Sequence, residues 1–390
     1  MREAYIVESV RTPGCKNKRG KFKDTRPEDL LSFILKSCAD KAGINPAEID
    51  DVMVGCAFPE AEQGINIGRI AAKMAGFPDS VCGATVNRFC SSGIEAIALA
   101  TLRVQAGWAD VTMGAGIESM TFVPMGGNKP RPHPVFSKED PTAYISMGIT
   151  AENVASRYNV TRQECDEFAA KSNEKAANAQ KNGYFTEIVP TPATKFVKQA
   201  DGTFKKETFI VSEDDGVRPG TTAEGIAKLS SPFKFGGVAT AANSSQTTDG
   251  AAATLVASKE ACDRLGLKPI AKIVAYAVAG CKSDEMGVGP KYAIPKALKI
   301  AGLTIDQIDA FELNEAFATQ AIHCVKELGI DINKVNINGG AIALGHPLGC
   351  TGAKLTATLL SVLKRTGGKY GIVSMCIGGG MGAAAIFEMV

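Results

Sequence analysis

The chain has 390 residues, which is too long for one ordinary hydrophobic core and predicts two or three domains. Hydrophobic residues make up 45% and charged residues 22%, a composition typical of globular proteins. The formal net charge of +2 excludes a general attraction to nucleic acid or to a membrane surface, so an anionic ligand has to meet a local basic cluster. No apolar run approaches the ~20 residues of a membrane span.

The N-terminus and the cysteines together predict a compartment. Residues 1–8 (M-R-E-A-Y-I-V-E) indicate a first strand, because no apolar core of the length needed for a signal peptide follows. Residues 386–390 carry no peroxisomal address. The eleven cysteines are scattered, with neither a CxxC pair nor metal-ligand spacing. We therefore expect reduced thiols, no metal and a cytoplasmic location.

Short segments rich in Val, Ile and Ala alternate with helical patterns, which predicts an α/β fold with buried strands. The predicted strands are 4–10, 52–56, 81–86, 111–115, 271–278, 335–337, 372–375 and 383–389. Apolar residues at helical spacing between the third and fourth strands predict a helix there. Cys90 is thus expected at a strand-to-helix turn, where free N–H groups and the helix dipole favour a thiolate.

Residues 119–243 differ from the segments around them. A Pro-rich loop is followed by a polar helix over 161–182, in which Thr161 and Glu164 form a capping box and Gly183 ends the helix. A Lys-rich stretch around Gly202 resembles a hairpin. We expect this region to be an insertion between core strands that acts as a substrate lid.

Two segments hint at an internal duplication. Residues 111–116 (V-T-M-G-A-G) are similar to residues 373–378 (V-S-M-C-I-G). Each follows a Gly-containing turn and a helix, and the first turn carries Cys90 while the second carries His346. A duplicated half would bring the two turns together across a pseudo-two-fold axis.

Three separate segments each hold one reactive side chain beside small residues: 87–93 (N-R-F-C-S-S-G), 345–349 (G-H-P-L-G) and 374–380 (S-M-C-I-G-G-G). A Cys nucleophile with a distant His is a candidate for covalent catalysis, and a second thiol is able to move a proton. Together they predict acyl transfer through an acyl-cysteine. Of the remaining candidates, we expect His323 and Cys350 to be packed and His133 to face solvent.

Six ordered segments resemble the thiolases, acyl-CoA:acetyl-CoA C-acyltransferases: 87–93, 147–153, 239–252, 312–318, 338–352 and 376–382. The resemblance implies an α/β fold of two duplicated βαβαβαββ halves in a five-layer αβαβα sandwich with an inserted loop domain. It divides the chain into an N-terminal half (1–118 and 244–268), the insertion (119–243) and a C-terminal half (269–390). It also implies a homodimer or a homotetramer.

The same resemblance implies the roles of individual residues. Cys90 is the nucleophile, His346 and Cys376 complete the catalytic set, and Asn314 holds a catalytic water, although Asn314 could also cap the helix that follows it. The oxyanion donors are the N–H of Cys90 and a glycine backbone.

The glycine whose backbone N–H serves as the second oxyanion donor is Gly378 or Gly380. Substrate-binding residues are Ser245 along the pantetheine, Met147 in its tunnel, Arg218 near the nucleotide and Phe317. Coenzyme A is a co-substrate, and no cofactor is bound permanently.

The implied activity is thiolytic cleavage of 3-ketoacyl-CoA by CoA to acetyl-CoA and a shortened acyl-CoA, in fatty-acid β-oxidation. Ser146 stands where the biosynthetic subtype usually carries a His, which favours the degradative type. Two alternatives stay open: a biosynthetic acetoacetyl-CoA thiolase and a 3-oxoadipyl-CoA-type thiolase. A decarboxylating 3-ketoacyl synthase would need His or Asn at Cys376. A scaffold subunit of a β-oxidation complex would not need the catalytic residues, and membership of such a complex stays open.

Overall fold

The computed structural model describes residues 2–390, in which strands and helices alternate. The strands are β1 (Ala4–Arg11), β2 (Cys15–Lys16), β3 (Asp51–Gly55), β4 (Cys82–Val86), β5 (Val111–Ser119), β6 (Thr191–Lys198), β7 (Phe204–Val211), β8 (Thr248–Ser258), β9 (Ala271–Gly280), β10 (Ala310–Leu313), β11 (Tyr370–Ile377) and β12 (Met381–Met389). The helices are α1 (Pro27–Ala42), α2 (Ile67–Met74), α3 (Ser92–Gln105), α4 (Phe136–Glu139), α5 (Met147–Tyr158), α6 (Arg162–Lys181), α7 (Ala223–Ile226), α8 (Lys259–Leu265), α9 (Gly289–Ala301), α10 (Ala318–Leu328), α11 (Ala341–Leu344) and α12 (Thr351–Thr366).

The large sheet contains the same strand arrangement twice. In the N-terminal half, β4, β3 and β5 are parallel neighbours, and β8 and β1 follow as antiparallel neighbours. In the C-terminal half, β10 and β11 are parallel, and β12 and β9 follow as antiparallel neighbours. The two halves meet where Ile6 of β1 pairs with Ala271 of β9. The repeated order and directions confirm the predicted duplication.

The predicted strand at 335–337 is wrong. Val335 makes a single parallel bridge to Phe311 of β10, and the preceding residues form a short 3-10 turn. The side chain of Asn336 replaces the missing strand, because its amide accepts from the N–H of Leu313 and donates to the C=O of Leu313. Conversely, β8 was not predicted, since Asp, Gly and Ala, which are depleted in strands, make up six of its eleven residues.

Three apolar cores hold five layers together. The first lies between α1 and α2 and the outer face of the N-terminal strands, and it includes Leu31 and Leu255. The second holds α3 and α12 between the two sets of strands, with Ile94 and Leu359 at its centre. The third packs α9 and α10 against the outer face of the C-terminal strands. This order of layers confirms the five-layer sandwich.

The two central helices touch through glycine. A Cβ atom on Gly93 would lie 2.6 Å from the backbone N of Ala353, and one on Gly352 would lie 2.3 Å from the backbone N of Ile94. Each helix is preceded by a 3-10 turn, at Phe89–Ser91 and Leu348–Cys350, and these turns contact one another. The first turns of α3 and α12 therefore sit backbone against backbone.

The region 119–243 contains α4 to α7 and the β6–β7 hairpin. The predicted capping box of Thr161 and Glu164 is present at the start of α6, and the predicted hairpin is the β6–β7 pair. Helices α5 and α6 pack against α10 of the C-terminal half. None of the helices within residues 2–390 combines the length and apolarity needed to cross a membrane.

We expect Gly352→Ala to lower the thermal midpoint and to cost about 1–3 kcal/mol or more, because the added methyl group has to push two helix backbones apart. Differential scanning fluorimetry with urea unfolding measures the effect. Gly280→Ala is the matched control, since a Cβ atom there meets nothing within 4 Å. Equal stability of the two variants would contradict the close contact.

Candidate active site

Cys90 lies in the 3-10 turn between β4 and α3, as the sequence predicted. The turn is strained, because Phe89 has a φ of 43°, and it is held by the Phe89 N–H, which donates to Asn87 Oδ1. Burial raises the pKa of the Cys90 thiol to about 12, and the N–H groups of Gly378 and of Cys90 itself, which face the sulfur, only partly oppose this. The resting group is a thiol, so burial outweighs the predicted preference for a thiolate.

His346 lies before α12, next to the 3-10 turn that contacts the turn of Cys90. Its backbone N–H donates to the C=O of Gln246 over 2.9 Å, and its Nδ1 lies 2.5 Å from Thr351 Oγ1. Burial, reinforced by the charge of Lys354, lowers the pKa of the imidazole to about 3. The ring is neutral at physiological pH, and Thr351 fixes its orientation.

Asn314 and Cys376 complete the cluster and share one helical neighbour. Asn314 Nδ2 lies 3.4 Å from His346 Nε2, while its Oδ1 is buried without a hydrogen-bond partner among the described residues. The Cys376 thiol donates to Gln320 Oε1 over 2.9 Å, and Gln320 Nε2 donates to the C=O of Asn314 over 3.1 Å. Gln320 was not predicted, although a polar residue on the buried face of α10 could have indicated a functional role.

Asn314 does not cap the following helix. Helix α10 begins at Ala318 with Phe317 in the N-cap position. Directly after β10, the Asn314 N–H instead donates to the C=O of Ser374 in β11, and its side-chain amide lies beside His346. The capping interpretation is wrong.

Glu118 is a second residue that the sequence reading missed. Its carboxyl group accepts 2.8 Å hydrogen bonds from the N–H groups of Ala57 and Gly349 and a 2.7 Å bond from Gln63. Burial raises the pKa of Glu118. The group fastens the turn after His346 to the loop after β3.

The Cys376 end of the cluster has an apolar wall. Met147 and Phe317 pack with Met286 around Cys376. A Cβ atom on Gly378 would lie 3.8 Å from the Met147 sulfur. Met147 and Phe317 are thus close to the predicted catalytic thiols.

Of the two oxyanion glycines that the sequence offered, Gly378 is the one that faces Cys90. Gly380 packs against the backbone of residues 281–283, and its C=O accepts from the Cys281 N–H.

A cavity of about 500 Å³ lies beside the cluster. Its outer rim is basic and consists of Lys16, Lys18, Arg19 and Arg218. Its wall is the segment 244–247, which includes Ser245. On the far side this segment pairs through Thr247 with His346 and through Ser244 with Phe317. One wall therefore connects the basic rim to the catalytic cluster.

The sequence reading found Arg218 and Ser245 but missed Lys16, Lys18 and Arg19. Burial, followed by the nearby charge of Arg218, lowers the pKa of Lys16, so the two cations lie close together. The run K-N-K-R at 16–19 was the signal for this local basic cluster.

The other predicted residues lie where they were expected. His323 is buried and stacks on Tyr158 with ring centroids 3.8 Å apart. His133 is exposed, and Cys350 is buried in the central core.

Residues 4–260 match the family model of the thiolase N-terminal domain, and residues 267–389 match that of the thiolase C-terminal domain. The chain belongs to the thiolase family. This thiolase is 49% identical over 390 residues to the 3-ketoacyl-CoA thiolase of Bacillus subtilis, and the match covers 100% of both chains.

Solved thiolase structures share the fold. The Bacillus anthracis acetyl-CoA acetyltransferase superposes with a TM-score of 0.90 at 37% identity, over 100% of this chain and 99% of that one. The dimeric peroxisomal thiolase of Saccharomyces cerevisiae gives 0.89 at 39% identity, over 100% and 98%.

We expect alkylation of Cys90 by iodoacetamide at pH 7 to slow about tenfold or more in His346→Ala, because the buried thiol then loses the base in the adjacent turn. Peptide mass spectrometry measures the rate at each cysteine. Cys82, which is exposed, is the internal control. An unchanged Cys90 rate would show that His346 does not activate it.

Proposed function

We propose that this thiolase is a degradative 3-ketoacyl-CoA thiolase, which cleaves 3-ketoacyl-CoA with CoA into acetyl-CoA and a shortened acyl-CoA in fatty-acid β-oxidation. The observation that carries the proposal is one buried cluster of Cys90, His346, Asn314 and Cys376 beside a cavity with a basic rim. Two thiols and one imidazole supply a nucleophile, a base and a second acid.

In the first half-reaction the sulfur of Cys90 attacks the 3-keto carbon, and its proton passes to His346. The N–H groups of Cys90 and Gly378 hold the alkoxide. Collapse of the alkoxide breaks the C2–C3 bond and leaves an acyl-thioester on Cys90. The thiol of Cys376 protonates the departing enolate carbon, which gives acetyl-CoA.

The enolate oxygen needs its own hydrogen-bond donors while the C2–C3 bond breaks. His346 Nε2 points towards Asn314, and the unpartnered Oδ1 of Asn314 suits a bound water. The imidazolium and that water stabilise the enolate. Gln320 accepts a hydrogen bond from the Cys376 thiol in the resting state, which orients this thiol for the transfer.

In the second half-reaction the Cys376 thiolate takes the proton of the incoming CoA thiol. The CoA sulfur attacks the acyl-thioester, and the same two N–H groups hold the tetrahedral oxyanion. Cys90 leaves as a thiolate and recovers its proton from His346. Every proton that leaves a group in the first half returns in the second.

The CoA moiety lies along the cavity. Lys16, Lys18, Arg19 and Arg218 bind its phosphates, and Ser245 lies beside the pantetheine. Met147 and Phe317 contact its inner end and the acyl chain.

The degradative subtype is supported by the full-length similarity to a 3-ketoacyl-CoA thiolase and by Ser146 at the N-cap of α5. The biosynthetic reading, condensation of two acetyl-CoA, is the second candidate, because a structural neighbour is an acetyl-CoA acetyltransferase.

The chain functions as a homodimer or homotetramer in the cytoplasm. Strand β4 at the edge of the large sheet supports self-association, as does the dimeric state of the yeast neighbour. The eleven free cysteines support a reducing compartment. Residues 1–118 with 244–268, and residues 269–390, form the two halves, and the insertion 119–243 covers the CoA. The proposal does not include membership of a larger β-oxidation complex.

We expect CoA-dependent cleavage of the long members of a 3-ketoacyl-CoA series, and Cys90→Ala should abolish it because the nucleophile is gone. Absorbance of the enolate–Mg²⁺ complex of the substrate measures the rate. Activity confined to acetoacetyl-CoA would favour the biosynthetic alternative, and near-native turnover of Cys90→Ala would refute the mechanism.

We expect Lys16→Ala to raise the KM for CoA about tenfold at low salt with little change in kcat, because a phosphate loses a charged partner. Steady-state kinetics against CoA concentration test this. Lys36→Ala removes an exposed lysine of α1, which is paired with Asp40 outside the cavity, and serves as the control. Equal KM values would remove Lys16 from the CoA site.

A further inference from the structure

Lys354 is a buried lysine that the mechanism above does not use. It lies on the first turn of α12 and is 4% exposed. Its ammonium group donates 2.9 Å hydrogen bonds to the C=O groups of Leu344 and Gly345. These are the two carbonyls that immediately precede His346.

The turn that these bonds hold has no room to shift. Gly345 has a φ of 83°, and a Cβ atom there would lie 2.2 Å from the side chain of Thr248. Thr351, also on the first turn of α12, contacts the His346 ring. Helix α12 therefore holds His346 by the ring through Thr351 and by the backbone through Lys354.

The charge of Lys354 is balanced by carboxylates of the insertion. Asp214, in the insertion, is the counter-charge with the largest effect on Lys354 and also forms a two-bonded pair with Arg11 of β1. Glu187, also in the insertion, pairs with Arg11 over 3.0 Å, and Glu312 lies on β10. Burial and the neighbouring carboxylates raise the pKa of Glu312 to about 8, which leaves this group protonated at neutral pH.

Within the described residues, Lys354 is the one charged group that acts on the His346 ring. The thiol of Cys350 faces Lys354 from the same helix, and the carboxyl group of Glu118 faces the turn at Gly349. Neither shifts the titration of His346. A cation beside a buried imidazole disfavours the imidazolium.

We propose that Lys354 is a positioning residue whose ammonium group holds the two carbonyls before His346 and so sets where the imidazole lies. Its charge adds to the effect of burial, which is the larger cause of the neutral ring. The proposal rests on the proposed role of His346 as the base for Cys90. It assigns a function to the buried ion network, which joins the insertion to the catalytic turn.

The test is the pH profile of kcat/KM for wild type, Lys354→Met and Lys354→Arg. Lys354→Met removes the cation, so protonation of His346 becomes easier and its pKa rises. The acid limb of the profile should move to higher pH by about one unit or more. We expect kcat to fall about 10- to 100-fold while the KM for CoA stays within about twofold. Lys354→Arg keeps the charge and should keep the wild-type acid limb.

Two further measurements separate this outcome from a loss of folding. Lys354→Met/Glu187→Gln keeps the buried charges balanced and should show the same shift of the acid limb with a higher thermal midpoint than the single variant. In wild type, NMR of the histidine rings should show His346 neutral at pH 5, and three histidines are few enough to assign with His346→Ala.

A His346 ring that titrates near 6.5 in wild type, or an unshifted acid limb in folded Lys354→Met and Lys354→Met/Glu187→Gln, would overturn the proposal. Full activity of His346→Ala would instead overturn the proposed role of His346, so the two failures are distinguishable.

Discussion

The contact between the first turns of α3 and α12 is the constraint on which the site depends. Gly93 and Gly352 let the two backbones touch, and this contact brings the turn of Cys90 against the turn of His346. The duplication places each helix before the equivalent strand of its half, α3 before β5 and α12 before β11, so the pseudo-two-fold arrangement of the fold creates the meeting point. Cys90 and His346, the proposed nucleophile and base, come from separate halves, and neither half alone contains the pair.

Burial sets the chemistry at that meeting point. Loss of water raises the pKa values of Cys90 and Cys376 and lowers that of His346, so all three groups rest in their neutral forms. Burying neutral groups costs less free energy than burying charged ones, but these groups have to become charged during the proposed reaction. The N–H groups at Cys90, the amide of Asn314 and the carbonyl of Gln320 are preorganised for that moment, which is how a dry site stabilises transient charge.

The insertion is fastened to the core by buried polar groups. Glu152 holds the segment 231–239 through the N–H groups of Val238 and Ala239, and Asn243 bonds to Asp166 of α6. Asp214 and Glu187 reach the ion network below the catalytic turn. These bonds join the wall of the cavity to the elements around His346, so they connect the proposed co-substrate site to the proposed catalytic residues.

The sequence by itself determined the α/β class, the position of Cys90 at a strand-to-helix turn and the identity of the reactive side chains, because these follow from local periodicity and from small-residue motifs. It missed β8 and misplaced a strand at 335–337, where the amide of Asn336 substitutes for a ladder. Gln320, Glu118 and Lys354 became visible only in the tertiary structure, as did the choice of Gly378 over Gly380. Their partners lie far along the chain, and the protonation state of each buried group depends on which atoms surround it in space.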